Sequence, residues 1–285
     1  MHTVACSSVT CMVINRATKA PILVFFALAY ALSWLLWWPA ALASGGWIEP
    51  LPTHLLHLVG AMGPLGAALL VTGRMHGRSG IARIVQRCVT GGRWIAIGVL
   101  IPAALFVVAV AFVSLNSTTT IEWRNFGINR EFADLPRPAY WIANLIFYGF
   151  GEEVGWRGFA LPRLQARTSA LRASLLLAVG WAGWHLPLFF FTPGLSALGA
   201  AGIAGWIVSL GLGSITLTWL LNSSGGSIAA VALFHAALDV FMSSPVAPGI
   251  ENVMGALLTI GTVLIVPTFG AESLSRRGKV NVTAS

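Results

Sequence analysis

Only 9% of the 285 residues are charged, and the nine acids among them divide into two groups. Glu49, Glu122, Glu131, Asp134, Glu251 and Glu272 fall in polar loops or tails, whereas Glu152, Glu153 and Asp239 fall inside long apolar runs. Arg157 follows the paired acids, and His185 and His235 are also embedded in apolar sequence. Carboxylates and imidazoles together can take a proton from water and donate to a developing oxyanion. The same types also ligate zinc. Spacing suggests how the work is divided. Glu153 and Arg157 are four apart with the acid first, the favourable order for an ion pair on one helix face. Glu152 points ~100° away on an α-helix and is left free to act as a base. His235 and Asp239, also four apart, share one face.

Each member has a plainer reading. A lone buried histidine often only hydrogen-bonds a neighbouring helix, and Glu153 with Arg157 alone reads as a structural pair. The joint set carries the chemistry. His54 and His57 sit at the edge of an apolar run and read as interfacial. No His-Glu-x-x-His helix is present, so the sequence leaves open whether zinc is involved.

What must position these residues is a bundle of membrane helices. Soluble domains carry about 25% charged residues, far above the level here, and 56% of this chain is hydrophobic. Apolar runs of about 20 residues, enough to cross a ~30 Å hydrocarbon core, recur along it. The expected architecture is all-α, a polytopic membrane bundle of eight spans near 21–43, 55–72, 94–115, 139–160, 172–191, 198–221, 227–243 and 252–270. A rise of ~1.5 Å per residue puts Glu152 ~16 Å above Arg163, His185 ~20 Å above Arg172, and Asp239 ~18 Å above Ser227. His235 comes to ~12 Å on the same rise. Three helices therefore bring these groups to a similar depth. An ionisable group there costs about 2.5–3.5 kcal/mol on insertion scales, so it is expected to face the bundle interior and serve function. Gly149, Gly151, Gly155 and Gly158 leave room around the acids for a helix or a substrate backbone to approach closely.

The net charge of +8 is not a nucleic-acid signal, because the basic residues form short blocks between apolar runs. Fourteen of the seventeen, Arg157 included, fall on one side of the expected bundle, against Arg124, Arg130 and Arg137 on the other. The positive-inside rule then makes both termini cytoplasmic. The expected organisation is a tail over 1–20, one transmembrane domain over 21–271, and a second tail over 272–285. Ala41-Leu42-Ala43 resembles a signal-cleavage site, but the run from Pro21 is too long for a signal h-region of about 7–15 residues and reads as an uncleaved span. Met12 is an alternative start. Cys6, Cys11 and Cys88 have no metal or disulfide spacing and read as free thiols. The basic segment 74–93 reads either as an amphipathic helix on anionic headgroups or as a solvated loop.

At its acids and histidines the chain resembles the CPBP family of intramembrane proteases, which includes the CAAX prenyl endopeptidases and the bacteriocin-processing and self-immunity proteins. Its motifs appear as Glu152-Glu153-Val154-Gly155-Trp156-Arg157, Trp181-Ala182-Gly183-Trp184-His185 and His235-Ala236-Ala237-Leu238-Asp239. The resemblance implies peptide-bond hydrolysis in the membrane, labelled in that family as metalloprotease chemistry. Glu152, assisted by His185, would activate a water, while His235 and Asp239 would stabilise the tetrahedral intermediate. It implies a membrane-embedded or lipidated peptide substrate, the lipid bilayer as setting (a cell membrane in a prokaryote), no nucleic acid, and zinc as the one cofactor to consider. Glu152, His185, His235 and Asp239 are the candidate ligands. Two positions depart from the pattern. Trp181 stands where Phe is usual, a change expected only to repack a wall. Asp239 stands where Asn is common, and Asp donates a hydrogen bond only when protonated.

Two other readings compete. A proton-coupled transporter would use the same buried groups as a relay, but predicts matching halves, which the sequence lacks. A non-catalytic immunity or scaffold protein of the same fold predicts a lost catalytic residue, whereas Glu152, His185 and His235 are all present.

Overall fold

The computed structural model describes residues 8–280, with side chains from Pro21 onward. The expectations for Cys6, Cys11, Met12, Arg16 and Lys19 lie outside the described side chains. Among the described residues the chain is all-α, with no strand. Helix occupies each of the eight stretches read as spans. The main helices are α1 (Ser8–Ser44), α2 (Thr53–Gly60), α3 (Gly63–Val89), α4 (Arg93–Asn116), α5 (residues 137–165), α6 (Ala170–Trp184), α7 (Ala200–Ser223), α8 (Ile228–Ser243) and α9 (Ile250–Phe269). Pro21–Ser44, Thr53–Val89, Arg93–Asn116, Ala200–Ser223 and Ile250–Phe269 are long and apolar enough to cross a membrane, and α6 and α8 are shorter apolar helices.

Three elements differ from simple spans. The second is broken between α2 and α3, and α3 bends again at Gly77, whose φ of 59° suits a residue without Cβ. Beyond the bend the basic segment is helical, burying Gly80, Ile84 and Arg87 along one face while Val85 and Val89 are exposed. The fifth expected span stops early. α6 ends at Trp184, His185 caps it, and a 3-10 turn follows over Leu186–Phe190. Pro187 lacks an N–H and disfavours α geometry in the residue before it, which favours ending the helix there. His185 therefore stands at a helix end, not within a span.

The third is α5, which is not uniform. Its ordinary turns over Arg137–Asn144, Gly151–Glu153 and Leu161–Gln165 are separated by π-helical segments, Leu145–Phe150 and Val154–Ala160. Both acids sit in the three-residue α segment between the widened turns. Such π segments often mark functional positions. Close approach explains the glycines. A Cβ on Gly155 would lie 2.5 Å from the Pro64 side chain and 2.6 Å from its backbone, and one on Gly149 would lie 2.8 Å from the Ala232 carbonyl. The bare face of α5 thus lets α3 and α8 press against it, holding the acids between them. α8 in turn lies along α4, and α6 along α7.

Candidate functional site

Glu153 is fully buried, and its Oε1 accepts two hydrogen bonds: from Arg157 Nη1 at 2.9 Å and from His235 Nδ1 at 2.8 Å. The expected ion pair is present. The second bond was not legible, because His235 comes from α8. Glu153 therefore holds an imidazole as well as a guanidinium, which corrects its reading as a structural partner of Arg157 alone. Arg157 is also buried, with its guanidinium 4.3 Å from the centre of the Trp181 ring. Stacking on an indole suits the planar, weakly hydrated arginine head.

Glu152 is 4% exposed and lines a cavity of about 790 Å³. It is not left free: Trp181 Nε1 donates to its Oε2 at 2.7 Å. The expectation that Trp for Phe only repacks a wall is thereby corrected, since Phe has no N–H to offer a carboxylate. The Trp181 backbone also takes part, its carbonyl 2.7 Å from His185 Nδ1. A carbonyl can only accept, so Nδ1 carries the proton and Nε2 is the nitrogen available to the cavity. Trp184 and Trp206 meet the His185 ring edge-on, with centroids 4.8 and 5.3 Å away. Three tryptophans, counting Trp181, thus fix its orientation.

His235, committed through Nδ1 to Glu153, has Nε2 3.7 Å from Asp239 Oδ2. That is longer than a hydrogen bond. Glu152, His185, His235 and Asp239 all line the same cavity. The sequence expectation that these four meet is met in space.

His57 joins them, although it reads as interfacial in sequence. It lines the cavity, and its Nδ1 is 2.7 Å from Glu131 Oε1. Glu131 belongs to the loop between α4 and α5, a 3-10 turn whose first acid is held by the Asn129 side chain. Seventy-four residues separate the two partners. No local pattern announces such a pairing.

The residues present do not fit a metal site as arranged. Among the described residues no three His, Cys, Asp or Glu side chains are grouped to hold an ion. One His235 nitrogen is already bonded to Glu153, whose carboxylate is shared with Arg157.

Comparison with known proteins follows the same residues. Residues 134–241, which contain all three motifs, match the family described as Rce1-like, Type II CAAX prenyl endopeptidase. A CAAX prenyl protease 2 from Methanococcus maripaludis is 34% identical over 89 residues. That match covers 30% of this chain and spans about a third, 32%, of the relative's length.

Proposed function

We propose that the chain, whose residues 134–241 match the Rce1-like family, is a CPBP-type intramembrane endopeptidase that hydrolyses a membrane-associated peptide by direct attack of water. One observation carries the reading: a single cavity presents the Glu152 carboxylate together with His185, His235 and Asp239. The catalytic unit is assigned to residues 21–271.

In the proposed reaction a peptide carbonyl lies between the two sides of the cavity. Glu152 accepts a proton from water as the oxygen attacks the carbonyl carbon, and His185 Nε2 orients that water. Charge developing on the carbonyl oxygen is met by Nε2–H of His235, which as an imidazolium also donates through Nδ1 to Glu153, and by the hydroxyl of protonated Asp239. Glu152 then returns its proton to the amide nitrogen, the C–N bond breaks, and an acid and an amine leave. Such base catalysis contributes about 10²–10⁴-fold, with oxyanion donors worth about 10²–10³-fold. In heavy-oxygen water, a single turnover should place one solvent oxygen in the new carboxyl terminus. Failure of the purified protein to cleave any peptide bond in a membrane peptide mixture would overturn the reading.

Two substitutions test the parts. Trp181→Phe keeps the aromatic wall but removes the N–H held by Glu152. A hydrogen bond to a charged group is worth about 1.5–3 kcal/mol, so kcat should fall roughly 10- to 100-fold with KM little changed. Unchanged kcat would mean that the indole N–H does not position the base.

Asp239→Asn asks whether Asp239 is a donor. As a donor it must be protonated, so its contribution is present at low pH and lost as pH rises through its titration. Asn donates at every pH. The variant should keep most activity and lose any decline at high pH that Asp239 causes. Collapse of activity in Asp239→Asn, with recovery on adding zinc, would instead mark Asp239 as a metal ligand.

A further inference from the structure

The two ends of the bundle differ in charge, and the cavity opens at only one of them. At one end the bend of α3 and the turns after α5, α7 and α9 are tied together. Arg87 donates to the carbonyls of Gly158 and Gly226, Lys279 to that of Thr168, and the Val280 N–H to Asn222 Oδ1. At the other end the α4–α5 loop is joined to α2 and to the turn after α8. His57 meets Glu131, Gly127 N–H donates to Ser244 Oγ, and Glu122 N–H to the Val246 carbonyl. Of the fifteen described Lys and Arg side chains, eleven lie at the first end, three at the second, and Arg157 lies in the site. The acids are distributed the other way: Glu272 alone at the first end, five at the second.

From Glu152, the cavity runs toward the second end. Its outer wall is Asn129 and Glu131, Thr192 and Gly194, Ser243 and Glu251. A further hollow of about 700 Å³ shares Asn129, Glu131, Gly194, Ser243 and Glu251 and widens the mouth. No residue of the basic end lines either space. On the basic side the site is closed by buried Trp156, Arg157 and Phe159.

A polytopic chain places its Lys- and Arg-rich loops in the cytoplasm. We propose that the catalytic cavity opens on the non-cytoplasmic face of the membrane, so that its substrates are exported or membrane-anchored peptides presented from that side. A lipidated C-terminus displayed in the cytoplasm would face the closed, basic end. What is cleaved rests on the protease reading above, but the direction of the mouth does not.

Impermeant-maleimide labelling in intact cells tests the direction without any turnover. In a variant with Cys6, Cys11 and Cys88 replaced by Ser, single cysteines are introduced as Asn252→Cys or Gly194→Cys at the mouth, and as Arg276→Cys at the basic end. Asn252 and Arg276 are exposed, and a side chain added at Gly194 meets nothing within 4 Å. The two mouth cysteines should label in intact cells, and Arg276→Cys only after permeabilisation. The reverse pattern, or labelling of all three positions from one side, would overturn the proposal. In sealed proteoliposomes, cleavage of an impermeant casein digest added outside should then rise with the fraction of molecules whose mouth cysteine is labelled from outside. Cleavage that instead follows the fraction labelled at Arg276→Cys overturns the proposal. Correct labelling with no cleavage of any peptide defeats the protease reading and leaves the direction of the mouth standing.

Discussion

Glu152→Gln is expected to abolish peptide hydrolysis while leaving the protein folded. The amide has nearly the shape of the carboxylate, and its oxygen can still accept the Trp181 N–H that reaches Oε2 at 2.7 Å. It cannot accept a proton from water. Removing a general base costs about 10²–10⁴-fold, and with no second carboxylate free in the Gly151–Glu153 segment the loss should reach at least that range. Glu153 cannot substitute, because its Oε1 is committed to Arg157 and His235 and its side chain is wholly buried. Stability should be equal or higher, since a neutral amide costs less to bury than a carboxylate. The checks are peptide cleavage by mass spectrometry and thermal unfolding in detergent. A Glu152→Gln protein with full activity would remove Glu152 from the mechanism.

How far the sequence reaches can be judged from the same residues. The apolar runs and the i, i+4 pairs are local, so the helices, the Glu153–Arg157 bond and the meeting of Glu152, His185, His235 and Asp239 were all legible. The finer arrangement depends on what lies across a helix boundary. The reading of Glu152 as free assumed 100° per residue throughout α5, but only Gly151–Glu153 around it is α-helical. Trp181 was weighed as bulk when its N–H was the part that mattered. His57 could not be told from an interfacial histidine without knowing that a loop 74 residues later returns to it. Backbone pattern is written locally, whereas a side chain's partner is set by tertiary contact.

Glu153→Gln should damage both fold and function, and the two losses can be separated. The amide loses the charge that faces Arg157, leaving a buried guanidinium without its anion. Breaking a buried pair in this way costs about 3–5 kcal/mol, so a large drop in unfolding temperature and yield is expected. The second loss concerns His235. The carboxylate accepts from Nδ1 at 2.8 Å and so fixes both the ring's orientation and which nitrogen faces Asp239. An amide brings no charge to balance an imidazolium, so His235 becomes neutral and a weaker donor to the oxyanion. A histidine held by a carboxylate in a catalytic triad loses about 10⁴-fold in kcat by a comparable change. A fall of at least 10²-fold is therefore expected here. The double variant Glu153→Gln with Arg157→Met separates the effects. Methionine removes the stranded charge and keeps an apolar contact with the Trp181 ring, so stability should largely return. Activity should not, because His235 still lacks its carboxylate. If the double variant recovered wild-type cleavage along with wild-type stability, Glu153 would be only the partner of Arg157, and the bond to His235 would have no part in the reaction.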